Sequence, residues 1–385
     1  MSASSSRVLF VCACLGMLAF GIVLSTLGAV LPSIIERFGL DKAHAGQLLL
    51  IMTLGIIVAS LVFGPMVDLY GYKGILLVAT ALILVGLEGI AFAPTLASLR
   101  VAIALIGFGG GIVNGGTNAL VADISGGERG SKLNLLGVFF GISAVGVPFV
   151  LATLTGRFSQ SALMAGVGAL VIVPFAVIAA SGFPMPKQPQ GFPITAAAGL
   201  LRDPVMLLMA AILFLESGVE LTVGGWISTF VKEVLGVGAG NALIILSLYW
   251  LGMMLTRIAV GKILKRASHI GVLYVLLAIA LVGAALLLAT HNVAIAAAGV
   301  FLLGVGFAAM FPTVLGFIAD RYATLSGTAF SLAIAIALTG GMSLPFLAGI
   351  LGGVYGMRGS FLIVPVALAM QGLLLGVLAG RLRNA

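Results

Sequence analysis

Charge is what this sequence lacks most. Only 8% of its residues are Asp, Glu, Lys or Arg, whereas soluble domains carry about a quarter. With 61% hydrophobic residues and a mean hydropathy of +1.28, a water-soluble globular chain and a disordered one are both excluded. Cysteine is nearly absent. Cys12 and Cys14 stand two positions apart in one apolar run, where they cannot close a normal disulfide; both read as apolar filler. The three histidines, His44, His269 and His291, fall near the ends of apolar runs and far apart, so a metal cluster is not expected. No polar stretch is long enough for a soluble catalytic domain, which argues against an enzyme. No cofactor or metal is implied.

What the chain has instead is long unbroken apolar runs, such as Val8 to Leu31 and Leu48 to Val67. A transmembrane barrel shows segments of about ten residues with alternating polarity, so these runs read as membrane helices. The first follows a short polar stretch and Arg7, and it is too long for a cleaved leader. The stretch Val11-Cys12-Ala13-Cys14 loosely resembles a lipoprotein cleavage box, but too few apolar residues precede it. The 54 glycines suit helices that pack closely, because lipid gives apolar helices no hydrophobic reason to associate.

Charge and turn clusters divide the runs into spans near 8–34, 43–67, 74–95, 98–122, 132–156 and 161–182, then 204–231, 239–262, 270–290, 292–318, 326–352 and 359–380. The expected fold is an all-α membrane protein of twelve helices in two six-helix halves, residues 1–182 and 204–385. Between them the proline-rich run Phe183-Pro184-Met185-Pro186-Lys187-Gln188-Pro189 opens a linker over 183–203. With the N-terminus inside, the inner ends carry Arg7, Lys73, Arg129, Lys132, Lys187, Arg202, Lys262, Lys265, Arg266, Arg321, Arg381 and Arg383. The outer ends carry Arg37, Lys42, Arg100, Arg157, Lys232 and Arg358. Twelve against six places both termini in the cytoplasm. The net charge of +8 is thereby explained by topology, and nucleic acid is not a partner.

The halves repeat at one offset. Gly64 and Gly261 are 197 residues apart, as are Leu54-Gly55 and Leu251-Gly252, Leu84-Val85-Gly86 and Leu281-Val282-Gly283, and Pro148-Phe149 and Pro345-Phe346. Gly107, Gly109, Ala122 and Asp123 match Gly304, Gly306, Ala319 and Asp320 without a gap. Two parallel copies follow, with a pathway expected between them.

Gly64-Pro65-Met66-Val67-Asp68-Leu69-Tyr70-Gly71-Tyr72-Lys73 resembles the G-x-x-x-D-x-x-G-x-[RK] loop of the major facilitator superfamily. The resemblance implies a cytoplasmic latch made of Gly64, Asp68, Gly71 and Lys73, joined by Arg129 and Arg257. Glycine permits a tight turn there and the aspartate can accept from a helix N-terminus. The second copy, Gly261-Lys262-Ile263-Leu264-Lys265-Arg266, puts Lys265 where the aspartate belongs. Gly218 to Phe230 in the seventh helix, Ser247-Leu248-Tyr249-Trp250-Leu251-Gly252 in the eighth, Phe311-Pro312-Thr313 in the tenth and Asn114-Gly115-Gly116-Thr117-Asn118 in the fourth are similar to the fucose permease and sodium-dependent glucose transporter branch.

That branch implies transport of a sugar, such as a hexose, coupled to a proton or sodium ion across an inner membrane, by a protein usually monomeric. Amides, carboxylates and an aromatic face suit sugar hydroxyls and the ring's C–H surface. The substrate-binding candidates are Asn114, Asn118, Glu220, Trp226, Tyr249, Trp250 and Gln47. For ion coupling they are Glu220, Glu216 and Glu88, since carboxylates at membrane depth must be paired, protonated or wet. Asn114 and Asn118 share a helix face, as do Glu216 and Glu220. The sequence departs from the branch in having no acid within its first helix and Asn114 where the fourth would carry one. Either the seventh-helix glutamates have taken over coupling or the protein is an uncoupled facilitator. An exporter of amphiphilic drugs or lipids on the same fold is the alternative, though it favours a more apolar cavity.

Overall fold

The computed structural model describes residues 3–125, 129–183, 199–264, 266–322 and 326–383. The expected linker falls mostly on residues outside this set. Among the described residues twelve helices are long and apolar enough to cross a membrane: α1 (Ser6–Phe38), α2 (Lys42–Phe63), α3 (Leu69–Phe92), α4 (Leu96–Ile124), α5 (Leu135–Leu154), α6 (Gln160–Ala180), α7 (Pro204–Leu235), α8 (Ala239–Ile263), α9 (His269–Ala289), α10 (Val293–Arg321), α11 (Leu332–Ser360) and α12 (Ile363–Leu382). In hydrocarbon each must satisfy its own backbone, which an α-helix does internally.

Two differences from the sequence expectation have local causes. The loop expected around Gly64 to Lys73 contracts to one residue: the backbone runs helical from Lys42 to Phe92 except at Gly71, with φ 74° and ψ 169°. Only glycine adopts that conformation cheaply, so the helix turns on a single peptide. The eleventh helix, expected to stop near residue 352, continues to Ser360 through a second such break at Gly356, φ 73°.

The chain forms two compact units, Met1–Val30 with Ile51–Gly191, and Leu31–Leu50 with Phe192–Ala385. Within each, the repeat is visible in backbone contacts. A Cβ on Gly86 of α3 falls 2.7 Å from the Ala102 carbonyl oxygen of α4, and one on Gly283 of α9 falls 2.6 Å from the Gly299 oxygen of α10. On Gly55 it meets the Ala104 oxygen at 3.0 Å; on Gly252 it meets the Phe301 oxygen at 2.5 Å. Every member of these sets is related by the 197-residue offset, so the duplication is preserved as the same helix-to-helix backbone approach. The first helices of the halves also end alike, on Gly39 (φ 60°) and Gly236 (φ 66°).

In the second unit, the segment Leu31–Leu50 packs at the C-terminal end of α7. Leu49 lies on Gly225, and Gly46 on Phe346 and Gly349 of α11. Lys42 Nζ pairs with Glu233 Oε2 at 2.9 Å, and Lys232 pairs with Glu36. In the first unit, Tyr72 Oη donates to Asp123 Oδ2 at 2.7 Å, fixing α3 to the end of α4.

Candidate functional site

Helix α7 carries Glu216, Glu220 and Trp226, and its ends are well defined. Asp203 caps it by accepting from Val205 N at 2.7 Å, Pro204 opens it, and left-handed Gly236 closes it. Asp203 Oδ2 also accepts from Tyr322 Oη at 2.6 Å and lies 3.8 Å from Arg321 Nε. Partial burial raises the Asp203 carboxyl, but the bonds from Tyr322 and Val205 and the Arg321 charge outweigh it and hold the group below the usual carboxylate range. Burial and that same carboxylate push the Tyr322 hydroxyl up to about 12.

In the interior of the second unit, Glu216 is 1% exposed. Its Oε2 accepts from Gln371 Nε2 of α12 at 2.8 Å. Gln371, wholly buried, is the amide of an otherwise apolar span and had not been expected to take part. One turn along α7, Glu220 Oε1 stands 4.0 Å from Arg257 Nη2 of α8. An ionised carboxylate at membrane depth costs about 2.5–3.5 kcal/mol or more, so a nearby guanidinium matters here in a way it does not at a surface.

Arg257 has a second task. Pro312 interrupts α10, which breaks between Phe307 and Met310. Proline has no N–H to offer the carbonyl four residues earlier, that of Ala308. Arg257 Nε donates to this oxygen at 3.3 Å. One side chain therefore covers the polar break in α10 and faces Glu220 of α7. The signal was present in the sequence, since Pro312 predicts a free carbonyl at 308.

Tyr249 of α8, fully buried, donates from Oη to the Glu220 carbonyl oxygen at 3.1 Å. Its ring stands edge-on to Trp250, centroids 5.0 Å apart, and to Phe307 at the α10 break, 6.2 Å apart. Trp250 lies on Gly224 of α7. Trp226 is fully buried; its indole Nε1 donates to the Pro345 oxygen of α11 at 2.9 Å and its ring lies by Gly349. Gln47 is half-buried on α2, in the same unit. The second unit thus gathers Glu216, Glu220, Tyr249, Trp250 and Arg257 around α7, with Trp226 farther along that helix.

The remaining candidates belong to the first unit. On α4, Asn118 Nδ2 donates to the Asn114 backbone oxygen at 2.8 Å and to its Oδ1 at 3.1 Å, a half-buried amide pair on one face. On α3, the half-buried Glu88 carboxylate lies against Gly168 of α6. Gly71 forms the break already described and Lys73 follows it, half-buried. The side chains of Asp68 and Arg129, with the surroundings of Gly64, lie outside what is described.

A family model for the Major Facilitator Superfamily matches residues 9–337. The chain belongs to the major facilitator superfamily. As a member, it is a multi-pass membrane transporter and not an enzyme. It is 25% identical over 369 residues to the "Uncharacterized transporter y4wD" of Sinorhizobium fredii, covering 94% of this chain and 96% of that one. Over 284 residues it is 24% identical to the "Bypass of stop codon protein 6" of Saccharomyces cerevisiae, covering 66% and 57%. Among solved structures, a D-xylose-proton symporter superposes with a TM-score of 0.80 at 13% identity, covering 96% of this chain and 97% of that one. The nucleoside transporter NupG gives 0.81 at 14%, covering 97% and 99%. At such identity these structures share the fold of this transporter, and function has to be argued from its own residues.

Proposed function

We propose that this facilitator-superfamily protein moves a small polar solute, a hexose or related polyol, by alternating access, with uptake coupled to a cation. In this reading it acts as a monomer in a bacterial-type inner membrane with both termini cytoplasmic, as two six-helix halves over 1–182 and 204–385 joined by a linker over 183–203. The observation that carries the proposal is the buried polar group on α7, with Glu220 facing Arg257 at 4.0 Å and Glu216 buried one turn away. Ionisable residues at membrane depth are costly and by default mark a solute or ion route. The amide pair Asn114 and Asn118 and the aromatics Trp226, Tyr249 and Trp250 provide sugar-binding chemistry, with Gln47 as a further amide. The two structural neighbours, a D-xylose-proton symporter and a nucleoside transporter, agree with a polyhydroxylated solute.

The test is uptake of labelled hexoses into proteoliposomes under an imposed pH or sodium gradient. Wild type accumulates solute; Glu220→Gln keeps counterflow and loses accumulation. Accumulation by Glu220→Gln against a gradient removes Glu220 from coupling. A thermal-shift panel decides solute class, since a ligand stabilises by mass action. Stabilisation by amphiphiles and by no sugar overturns the sugar reading in favour of an exporter.

A further inference from the structure

We infer that Glu216 and Gln371 form a proton-binding site, in which the neutral acid of Glu216 and the amide of Gln371 face each other as a doubly hydrogen-bonded pair. The inference deepens the reading above by naming its coupling ion as a proton and not sodium, and only the transport arm below rests on that reading.

The argument is one of donors and acceptors. Gln371 Nε2 donates to Glu216 Oε2 at 2.8 Å and reaches the Ile212 carbonyl oxygen at 3.4 Å. That exhausts the amide's donors. Two buried oxygens are left over, Glu216 Oε1 and Gln371 Oε1, and neither has a hydrogen-bonding partner among the described residues. Both side chains are essentially sealed, at 1% and 0% exposure. An ionised carboxylate supplies acceptors only, so ionisation leaves both oxygens orphaned. One proton on Glu216 Oε1 removes both deficits, because the acid then donates to the amide oxygen while the amide donates to Oε2. A carboxylic acid and a primary amide are complementary in this way, and buried polar pairs are stable only when every member is satisfied. Sodium fits poorly, since it needs a shell of oxygens and the pair leaves two uncommitted, Glu216 Oε1 and Gln371 Oε1.

The surroundings agree. On α7 itself Glu220 is the nearest acid, and on α8 Tyr249 and Arg257 face the site. Arg257 is already committed to the Ala308 oxygen and to Glu220. On α11, Arg358 is at the far end, bonded to the Thr290 oxygen. On α10, Arg321 lies by Asp203 and Asp320 is exposed; on α12, Arg381 is exposed. Among the described residues Glu216 has no ion pair of its own, and the Arg257 charge that reaches it is shared with Glu220.

The test is infrared difference spectroscopy of the full-length protein in lipid near pH 7. Wild type shows a protonated-carboxyl C=O band that shifts in D2O, persists in Glu220→Gln and is lost in Glu216→Gln. In Gln371→Leu the band moves, because the acid has lost its amide partner. Glu216→Gln should fold, since two amides can form the same paired ring. Absence of a band sensitive to Glu216→Gln, or its loss on adding sodium chloride at constant pH, overturns the proposal. In proteoliposomes, accumulation of labelled D-glucose driven by a pH gradient is lost in Glu216→Gln while counterflow remains; undiminished accumulation also overturns it. If no D-glucose uptake occurs in wild type, that counts against the proposed substrate, and the spectroscopic arms still decide the proton site.

Discussion

Replacing Gly86 and Gly283 by alanine, singly and together, tests the packing and the duplication at once. A Cβ at Gly86 would lie 2.7 Å from the Ala102 oxygen and one at Gly283 would lie 2.6 Å from the Gly299 oxygen. Ordinary contact begins near 3.4 Å, so the helices must part by about 0.7 to 0.8 Å. The Ala102 and Gly299 oxygens are backbone and cannot rotate aside, and at Gly86 the side-chain Cγ2 of Ile106 is nearer still, at 2.5 Å. Overpacking of this kind costs about 1–3 kcal/mol, and alanine's better helix propensity returns about 0.5–1 kcal/mol. Taken at the middle of both ranges, each variant should therefore lose about 1 kcal/mol. If the scaling of soluble domains holds, that lowers the melting temperature by roughly 2–8 °C, read by thermal unfolding in detergent. Because the geometries match, the two losses should agree within about 0.5 kcal/mol, and because the sites lie in different compact units they should add. A neutral outcome at both positions refutes the close backbone approach. A large loss at one and none at the other refutes its duplication.

Two further outcomes follow from the helix ends. Asp203 has a lowered folded pKa, so its contribution is present above its unfolded value of about 3.9 and fades as pH falls through the folded value. In pH-dependent melting, the stability gap between wild type and Asp203→Asn should be constant from neutral pH down to about 5 and shrink below about 4; a gap that widens on acidification contradicts the assignment. Lys42→Ala and Lys232→Ala break partly exposed ion pairs. Each should cost no more than about 1 kcal/mol, fading toward 1 M salt, where the Debye length is about 3 Å. Exchanging the charges of Lys42 and Glu233 together should restore what either single change loses, and a salt-independent loss of several kcal/mol would rule out solvated pairs.

The helices were legible because lipid imposes one rule, a long apolar run, and the runs from Val8 and Leu48 obey it plainly. Their breaks were harder to read. Gly71 and Gly356 each interrupt a helix through a single positive φ, which in a glycine-rich chain resembles any packing glycine. The repeat was visible because Gly55, Gly86, Gly107 and Gly109, like their copies Gly252, Gly283, Gly304 and Gly306, each face a carbonyl of their own half, so spacing and contact are one constraint. The interior polar pairs were half visible. The face shared by Glu216 and Glu220 follows from helical spacing, and Pro312 implies a free carbonyl at Ala308 without saying that Arg257 meets it. Gln371 stood out as a lone amide in α12, yet nothing in the sequence says which helix it meets, because that pairing spans 155 positions. Trp226 read as a substrate-binding ring; its bond to Pro345 and its seat by Gly349 depend on how α7 meets α11.

The boundary of the second compact unit has a consequence of its own. By sequence, Leu31–Leu50 belongs to the first half; by packing, it belongs to the unit built mainly from the second. Its repeat copy, Ser228–Ser247, stays in the unit of its own half. The arrangement is that of a one-sided domain swap made permanent by a peptide bond. The sequence repeat by itself would make two equal modules, and a hairpin packed into one unit only makes the two units unequal. Separated at the linker, the first fragment would carry a hairpin without its seat, and the second would expose Gly225, Gly349 and two lone charges, Lys232 and Glu233. Genetic halves and physical units are therefore different divisions of this chain, and a chimaera drawn at the linker would cut through a packed interior.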